Sequence, residues 1–386
     1  YLEFRAAALQ SWHPQRREML ITTRFAETPQ LHLVRQPGGA RRQLTFSKEP
    51  VRGAAFRPGK GDSLIYSQDT GGGEFFQLYH YSTTDGRSTL LTDGKSRNTG
   101  AVWAKDGSRL AWTSTKRNGK DNDIWIMDPD KPAEARLLTE LSGGGWGVTD
   151  WSPDGTKLAV VEFISANLSR LWLVDAATGA KEQLTPDADK PVARSGGKFS
   201  RDGKALFFTS DENGEFHQLM KMNLADRKLR VLTREIPWDI EAFDPASDGG
   251  TVALASNEAG LSVLYTVSIR TVIGPDGAPM EVSTVPKKIT GETYGVVSSL
   301  QWHENGRDLG FTLTSARSPS DAYSIEINPE NSNGEHKIER WTESETGGLN
   351  TGTFSEPELV KVKSFDGLEV SGFLYRPDPN KFPGKR

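Results

Sequence analysis

The 386-residue chain contains no cysteine. That excludes disulfides, thiolate nucleophiles and cysteine-ligated zinc, and it fits a cytoplasmic and a periplasmic location equally. No apolar run approaches the ~20 residues that a membrane-spanning helix needs, so no membrane partner is expected. Neither sign of charge dominates: 47 Lys and Arg stand against 51 Asp and Glu, a formal net charge of −4. The basic residues are scattered rather than clustered, which argues against a nucleic-acid partner. Histidine is scarce, and His13, His32, His80, His217, His303 and His336 show no metal-ligand spacing. A phosphate-binding loop and a Gly-x-Gly-x-x-Gly between strand and helix are both missing. So is the Gly-x-Ser-x-Gly elbow of a serine hydrolase. Gly71–Gly73 and Gly143–Gly145 lack flanking helix signals and read as tight loops. Asp121–Asp123 lacks the ligand spacing of a calcium loop. No metal and no cofactor is expected.

What the chain has in quantity is turn formers, 39 Gly and 21 Pro, and one recurring phrase. An aromatic anchor is followed by a turn and an apolar strand, as in Trp103-Ala-Lys-Asp-Gly-Ser-Arg-Leu-Ala-Trp112, Trp151–Val160 and Phe199–Phe208. The anchors are read as Trp12, Phe56, Trp103, Trp151, Phe199, Phe243 and Trp302. A second marker closes each unit: Leu44-Thr45, Leu91-Thr92, Leu138-Thr139, Leu184-Thr185, Leu232-Thr233, Ile289-Thr290 and Trp341-Thr342. The two markers stay in phase through seven units. The long sixth interval is assigned to an extended turn at Gly274–Pro279.

Each unit carries four short apolar runs bounded by Gly, Asp, Asn and Pro. In the third they are Thr99–Trp103, Arg109–Thr113, Asp123–Met127 and Ala135–Leu138. Such runs are antiparallel strands joined by tight turns. A period in the forties with four strands per unit is a propeller blade, which needs neighbours to bury its faces. The expected fold is therefore all-β: a seven-bladed β-propeller of four-stranded antiparallel blades over residues 1–346. Large aromatic anchors belong between blades, and core packing accounts for them.

Residues 347–386 break the repeat. After the polar spacer Glu343–Asn350 come two strand signals, Pro357–Lys363 and Leu368–Tyr375, flanking the turn Ser364-Phe-Asp-Gly367. The exit runs Arg376–Arg386. An isolated hairpin is marginal in water, so this one is expected to begin a second domain.

The phrase Ser364-Phe-Asp-Gly-Leu-Glu-Val-Ser-Gly-Phe-Leu-Tyr-Arg-Pro377 resembles the first strands of the catalytic domain in the prolyl oligopeptidase family of serine peptidases. The blade phrase Trp151-Ser-Pro-Asp-Gly-Thr-Lys-Leu-Ala159 is similar to that of its acylaminoacyl-peptidase and dipeptidyl-peptidase-like bacterial members, and also to Tol-type propellers. The resemblance implies a linker and first hairpin of a C-terminal α/β-hydrolase domain at 347–386. It implies short peptide substrates and a Ser-His-Asp triad lying beyond Arg386, so no catalytic residue is assigned within the chain. The alternatives are a non-catalytic Tol-type interaction propeller and an enzyme with its site on the axis. The second would need carboxylates or His on inner strands, where the repeats are read as Ala, Val, Gly and Trp. Self-association into a homo-oligomer is left open.

Strand order fixes which loops share a face. With strands A to D counted outward from the axis, the loops leading into A and those joining B to C lie on one side, where the second domain is expected. The position five before each anchor reads Val51, Asn98, Trp146, Arg194 and Trp238. Trp146, Arg194 and Trp238 are candidates for lining a cleft between domains. The B–C loops add Arg24, Arg117, Glu162 and Arg317. Of these, Arg117 and Glu162 are candidates for holding peptide carbonyls, or a carboxyl or amino terminus.

Overall fold

In the computed structural model the described residues are 4–186, 189–275, 277–289, 295–327, 336–377, 382 and 384. They form six four-stranded sheets, one five-stranded sheet and one two-stranded sheet. The first seven are the blades, each antiparallel and each built from consecutive strands. Within the third blade the strands are Asn98–Trp103, Leu110–Ser114, Asp123–Met127 and Arg136–Thr139, within a residue of expectation. Thr290 and most of the Arg376–Arg386 exit lie outside the described residues.

The closing Leu-Thr pair has a hydrogen-bonding cause. Strand D is short, so the start of strand C would be left with unmet backbone groups. In the first blade Leu44 N–H donates to Leu31 C=O at 2.8 Å, and Leu31 N–H donates back to Thr45 Oγ1 at 2.9 Å. The same exchange joins Leu78 to Leu91 and Thr92, Leu171 to Leu184 and Thr185, and Leu219 to Leu232 and Thr233. The threonine hydroxyl thus extends the ladder by one bond.

The anchors link blade to blade. The indole N–H of Trp12 donates to Gln301 C=O at 3.2 Å, and those of Trp103, Trp151 and Trp302 donate to Ala55, Val102 and Asp244 C=O at 3.2, 3.1 and 2.9 Å. Every acceptor sits one residue before the anchor of the preceding blade. That rule, and the sheet register, correct one expectation. Trp151 pairs with Leu158 and Trp302 with Leu309, and the equivalent pair in the sixth blade is Pro245 with Val252. Pro245, not Phe243, is the sixth anchor. Phe243 instead lies against Gly196 of the fifth blade, where a Cβ would meet its ring at 2.8 Å.

The insertion in the sixth blade is larger than a turn. Its strand C runs Leu261–Ile273 and continues past the sheet into a hairpin with Pro279–Ser283; the tip is closed by Gly274 N–H donating to Ala278 C=O at 2.8 Å. Lys287–Lys288 then serves as strand D.

The ring closes without exchanging a strand between its ends. Its seam is held by Arg17 of the first blade, which donates to Asp308 Oδ1 at 3.0 Å, pairs with Glu339, and lies 5.1 Å from the Trp341 ring. At the other end of the seam, Phe4 and Thr346 form a bridge.

Candidate functional site at the loop face and the axis

Among the described residues, the tail hairpin, Glu358–Lys363 with Glu369–Leu374, pairs with no blade. It is fastened by side chains. A Cβ on Gly260 would meet Phe373 Cε2 at 2.7 Å, and Arg317 pairs with Glu356 at 2.7 Å. Gly260 and Arg317 belong to the B–C loops of the sixth and seventh blades. The hairpin therefore sits on the face lined by the A-leading and B–C loops.

Trp146 opens strand A of the fourth blade, Trp146–Trp151. It is 7% exposed, its indole N–H donates to Ser142 C=O at 2.8 Å, and it packs between the third and fourth blades. Glu162 lies inside strand B, Lys157–Ser165, rather than in the loop, and is paired opposite Trp146. Its carboxylate accepts from Trp172 Nε1 at 3.0 Å and from Arg170 at 3.4 Å. Lys181 Nζ stands 4.9 Å from the Trp146 ring and 5.1 Å from that of Trp172. These residues line a groove of about 390 Å³.

Arg117 borders the same region. Its guanidinium forks onto Asp123 at 2.7 and 3.0 Å and donates to Leu141 C=O at 3.0 Å. Asp123 in turn accepts from Leu141 N–H at 2.8 Å. Arg117 thereby ties the B–C loop of the third blade to the connection that delivers Trp146.

The remaining candidates stand apart. Arg194 is 4% exposed, between the fourth and fifth blades. Its backbone exchanges two bonds with Ser169 Oγ, and its guanidinium reaches Ser169 C=O and Glu212 at 3.4 Å each. Trp238 is half-buried, and its ring lies tilted against that of Phe216, with centroids 6.1 Å apart. Because the sixth anchor is Pro245, the start of strand A there is Ile240, two residues beyond Trp238. Asn98 is buried and accepts from Trp112 Nε1 at 3.1 Å, and Val51 is buried. Arg24 donates to Phe4 C=O at 3.0 Å.

The inner strands are not free of charge, contrary to the sequence reading. Asp150 binds Lys105 of the preceding blade at 2.5 Å and accepts from Phe199 N–H of the following one at 2.9 Å. Asp244 repeats this with Lys198 and with Trp302 N–H at 2.7 Å. Glu241 accepts from Asn257 at 2.8 Å. Both aspartates are spent on holding blades together. The signal was present as Asp-Trp at 150–151 and Asp-Pro at 244–245, but was hidden by misplacing the sixth anchor. The A–B ends of all seven blades surround an axial funnel of about 760 Å³, which Lys105, Lys198 and Asp244 help to line. It opens on the face opposite the hairpin. No group of three or more potential metal ligands occurs among the described residues.

Seven blades, closure without an exchanged strand, and a hairpin fastened to one face define a propeller module with a tail that leaves the ring. No family model matches the chain. It is 30% identical over 183 residues to the uncharacterised peptidase YuxL of Bacillus subtilis (strain 168), covering 47% of this chain and 25% of that protein. It is 23% identical over 198 residues to dipeptidyl-peptidase 5 of Porphyromonas gingivalis, covering 43% and 28%. It is 28% identical over 131 residues to dipeptidyl aminopeptidase BIII of Pseudoxanthomonas mexicana, covering 33% and 19%. The matches thus span less than a third of each relative's length. A solved prolyl endopeptidase superposes over 96% of this chain and 54% of its own, with a TM-score of 0.71 and 15% identity, which shows the fold. A TolB structure from Acinetobacter baumannii covers 74% of the chain with a TM-score of 0.48 and 19% identity. The chain is thus similar over part of its length to proteins named as peptidases, and it shares the fold of the matched part of a prolyl endopeptidase.

Proposed function

We propose that this propeller filters substrate for a serine peptidase that hydrolyses short peptides. In this reading residues 347–386 are the linker and first hairpin of an α/β-hydrolase domain, and the Ser-His-Asp triad lies beyond Arg386. The observation that carries it is the hairpin, held over the B–C loops of the sixth and seventh blades by Phe373 on Gly260 and Arg317 on Glu356. A domain continuing from that hairpin covers the loop face, while the axial funnel opens on the other.

Size selection follows from shape. A ring closed by interblade bonds at Trp12, Trp103, Trp151 and Trp302 presents a narrow axis, so short or unfolded peptides reach the covered face and folded proteins do not. Chemistry in the second domain is acyl transfer: histidine takes the serine proton, aspartate orients the histidine, and backbone donors stabilise the oxyanion. On the propeller side, Glu162, Arg117 and the Trp146–Trp172 pair face the peptide, and Arg194 and Trp238 support that surface by packing. The test is hydrolysis of a peptide length series by the full-length protein, before and after fluorophosphonate treatment. Turnover that falls with substrate size and is abolished by the probe is expected; hydrolysis of folded proteins at the same rate, or indifference to the probe, overturns the reading.

A further inference from the structure

Most charges on the inner strands are engaged by a neighbour. Asp150 and Asp244 hold Lys105 and Lys198, Arg194 reaches Glu212, and Glu241 accepts from Asn257. Arg52 is different. It is the second residue of strand A in blade two, Val51–Phe56, and it is exposed. Among the described residues its guanidinium makes no hydrogen bond and no ion pair. Its one aromatic contact is with Phe76, whose ring centroid lies 5.5 Å from Cζ. A guanidinium laid on an aromatic face keeps its in-plane N–H donors free for a planar acceptor.

The recess beside Arg52 is about 500 Å³, within the range of small-ligand sites. Strand A of blades one, two, three and seven supplies much of its wall, through Gln10, Arg52, Thr99 and Ser299. It therefore lies along the axis, toward the starts of the inner strands and away from the funnel at their A–B ends. Arg52 is the only charged residue that lines it. A lone cation in a recess walled by amides, hydroxyls and hydrocarbon gives that recess a positive potential. The backbone is also irregular at this level. Strand register breaks between Arg52 and Ala54 in blade two and between Ser298 and Gln301 in blade seven. In the second break Ser299 takes a φ of +54°, which a serine disfavours. Bulges re-aim neighbouring side chains, and strained residues cluster at ligand sites.

We propose that Arg52 marks a carboxylate subsite on the axis, and that its ligand is a peptide carboxylate, at the carboxyl terminus or on an acidic side chain. Two N–H groups of the guanidinium would donate in parallel to the two carboxylate oxygens, with Phe76 holding the plane of the fork. A peptide amide offers one oxygen and no charge, so it pairs less well. The inference rests on the peptidase reading only in taking the bound peptide to be a substrate; there, it makes Arg52 a determinant of which short peptides are held.

The test is calorimetric titration of the full-length protein with three N-acetylated tripeptides of D-residues, which keep the carboxylate chemistry and resist cleavage. They are trialanine as the free acid, trialanine amide, and a tripeptide amide with a central glutamate. Wild type is expected to bind at least one carboxylate peptide about tenfold more tightly than the neutral amide, the scale of a hydrogen bond to a charged group. Arg52→Gln should abolish that preference. Arg52→Lys should keep part of it, because lysine retains the charge and loses the fork. Preference for the free acid alone assigns the subsite to the peptide terminus; an equal preference for the glutamyl peptide extends it to acidic side chains. No preference in wild type, or a preference that survives in Arg52→Gln, overturns the subsite. Fluorophosphonate labelling of wild type is read separately: its absence removes the peptidase reading, while the titrations still decide whether Arg52 binds carboxylates.

Discussion

The ring of Phe373 in the tail hairpin lies on Gly260 of the sixth blade, so closely that a Cβ at 260 would stand 2.7 Å from Cε2. Gly260 also has a φ of +93°, a conformation that side chains disfavour. Gly260→Val should therefore act twice, straining the loop by about 1–2 kcal/mol and pushing the hairpin away. Limited proteolysis is expected to cut within 355–377 faster than in wild type, with the blades intact. Equal cutting rates would show that Phe373 does not hold the hairpin.

Asp150, 4% exposed, accepts from Phe199 N–H through Oδ2 at 2.9 Å. Asp150→Ala leaves that donor unmet and should lower unfolding free energy by about 1–3 kcal/mol. Asp150→Asn keeps an oxygen there and should cost less, since the Lys105 partner is half-exposed and such pairs contribute little. Urea unfolding of the two variants gives the order; an equal loss would mean that charge, not the backbone bond, matters.

Thr233 is fully buried and its hydroxyl accepts from Leu219 N–H at 2.9 Å. Thr233→Val keeps the shape and removes the acceptor, for an expected loss of about 1 kcal/mol. Thr284→Val removes the acceptor for Ser268 N–H, 3.0 Å away in the hairpin extension, and should cost less because the hairpin carries little of the core. Equal thermal shifts for both would refute the role given to the Leu-Thr pair.

His13, His32 and His80 all have pKa values lowered from 6.5, with burial as the leading cause. Their folded values lie below the unfolded one, so the unfolded chain binds more protons as pH drops. The stability they contribute is complete above 6.5 and is lost as pH falls from there through the folded values. The melting temperature should drop between pH 7.5 and 5, and His32→Asn with His80→Asn should flatten that slope. An unchanged slope would place the acid sensitivity elsewhere.

Much of the fold was legible because the anchors and the Leu-Thr pairs are backbone devices with fixed spacing. Strand positions in the third blade differ from expectation by a residue. The sixth blade was misread because proline replaces the aromatic at 245 while Phe243, two positions earlier, imitates it. Strand alternation puts both on the same side of the sheet, so aromatic spacing alone could not separate them. That one slip moved the start of strand A from Ile240 to Trp238 and concealed the kinship of Asp244 with Asp150. Among the candidate site residues, Trp146 and Glu162 do come together, because register pairs them. The burial of Arg194 depends on Ser169, in a strand of the preceding blade, and on Glu212, in the loop after Ala205–Ser210, and neither leaves a trace in the sequence around it.

The most direct test is mass-spectrometric mapping of a fluorophosphonate adduct on the full-length protein, with peptide turnover measured alongside. A single labelled serine beyond Arg386, together with loss of short-peptide hydrolysis, is the predicted result. Absence of any adduct, or an adduct on a serine of the blades, would contradict it.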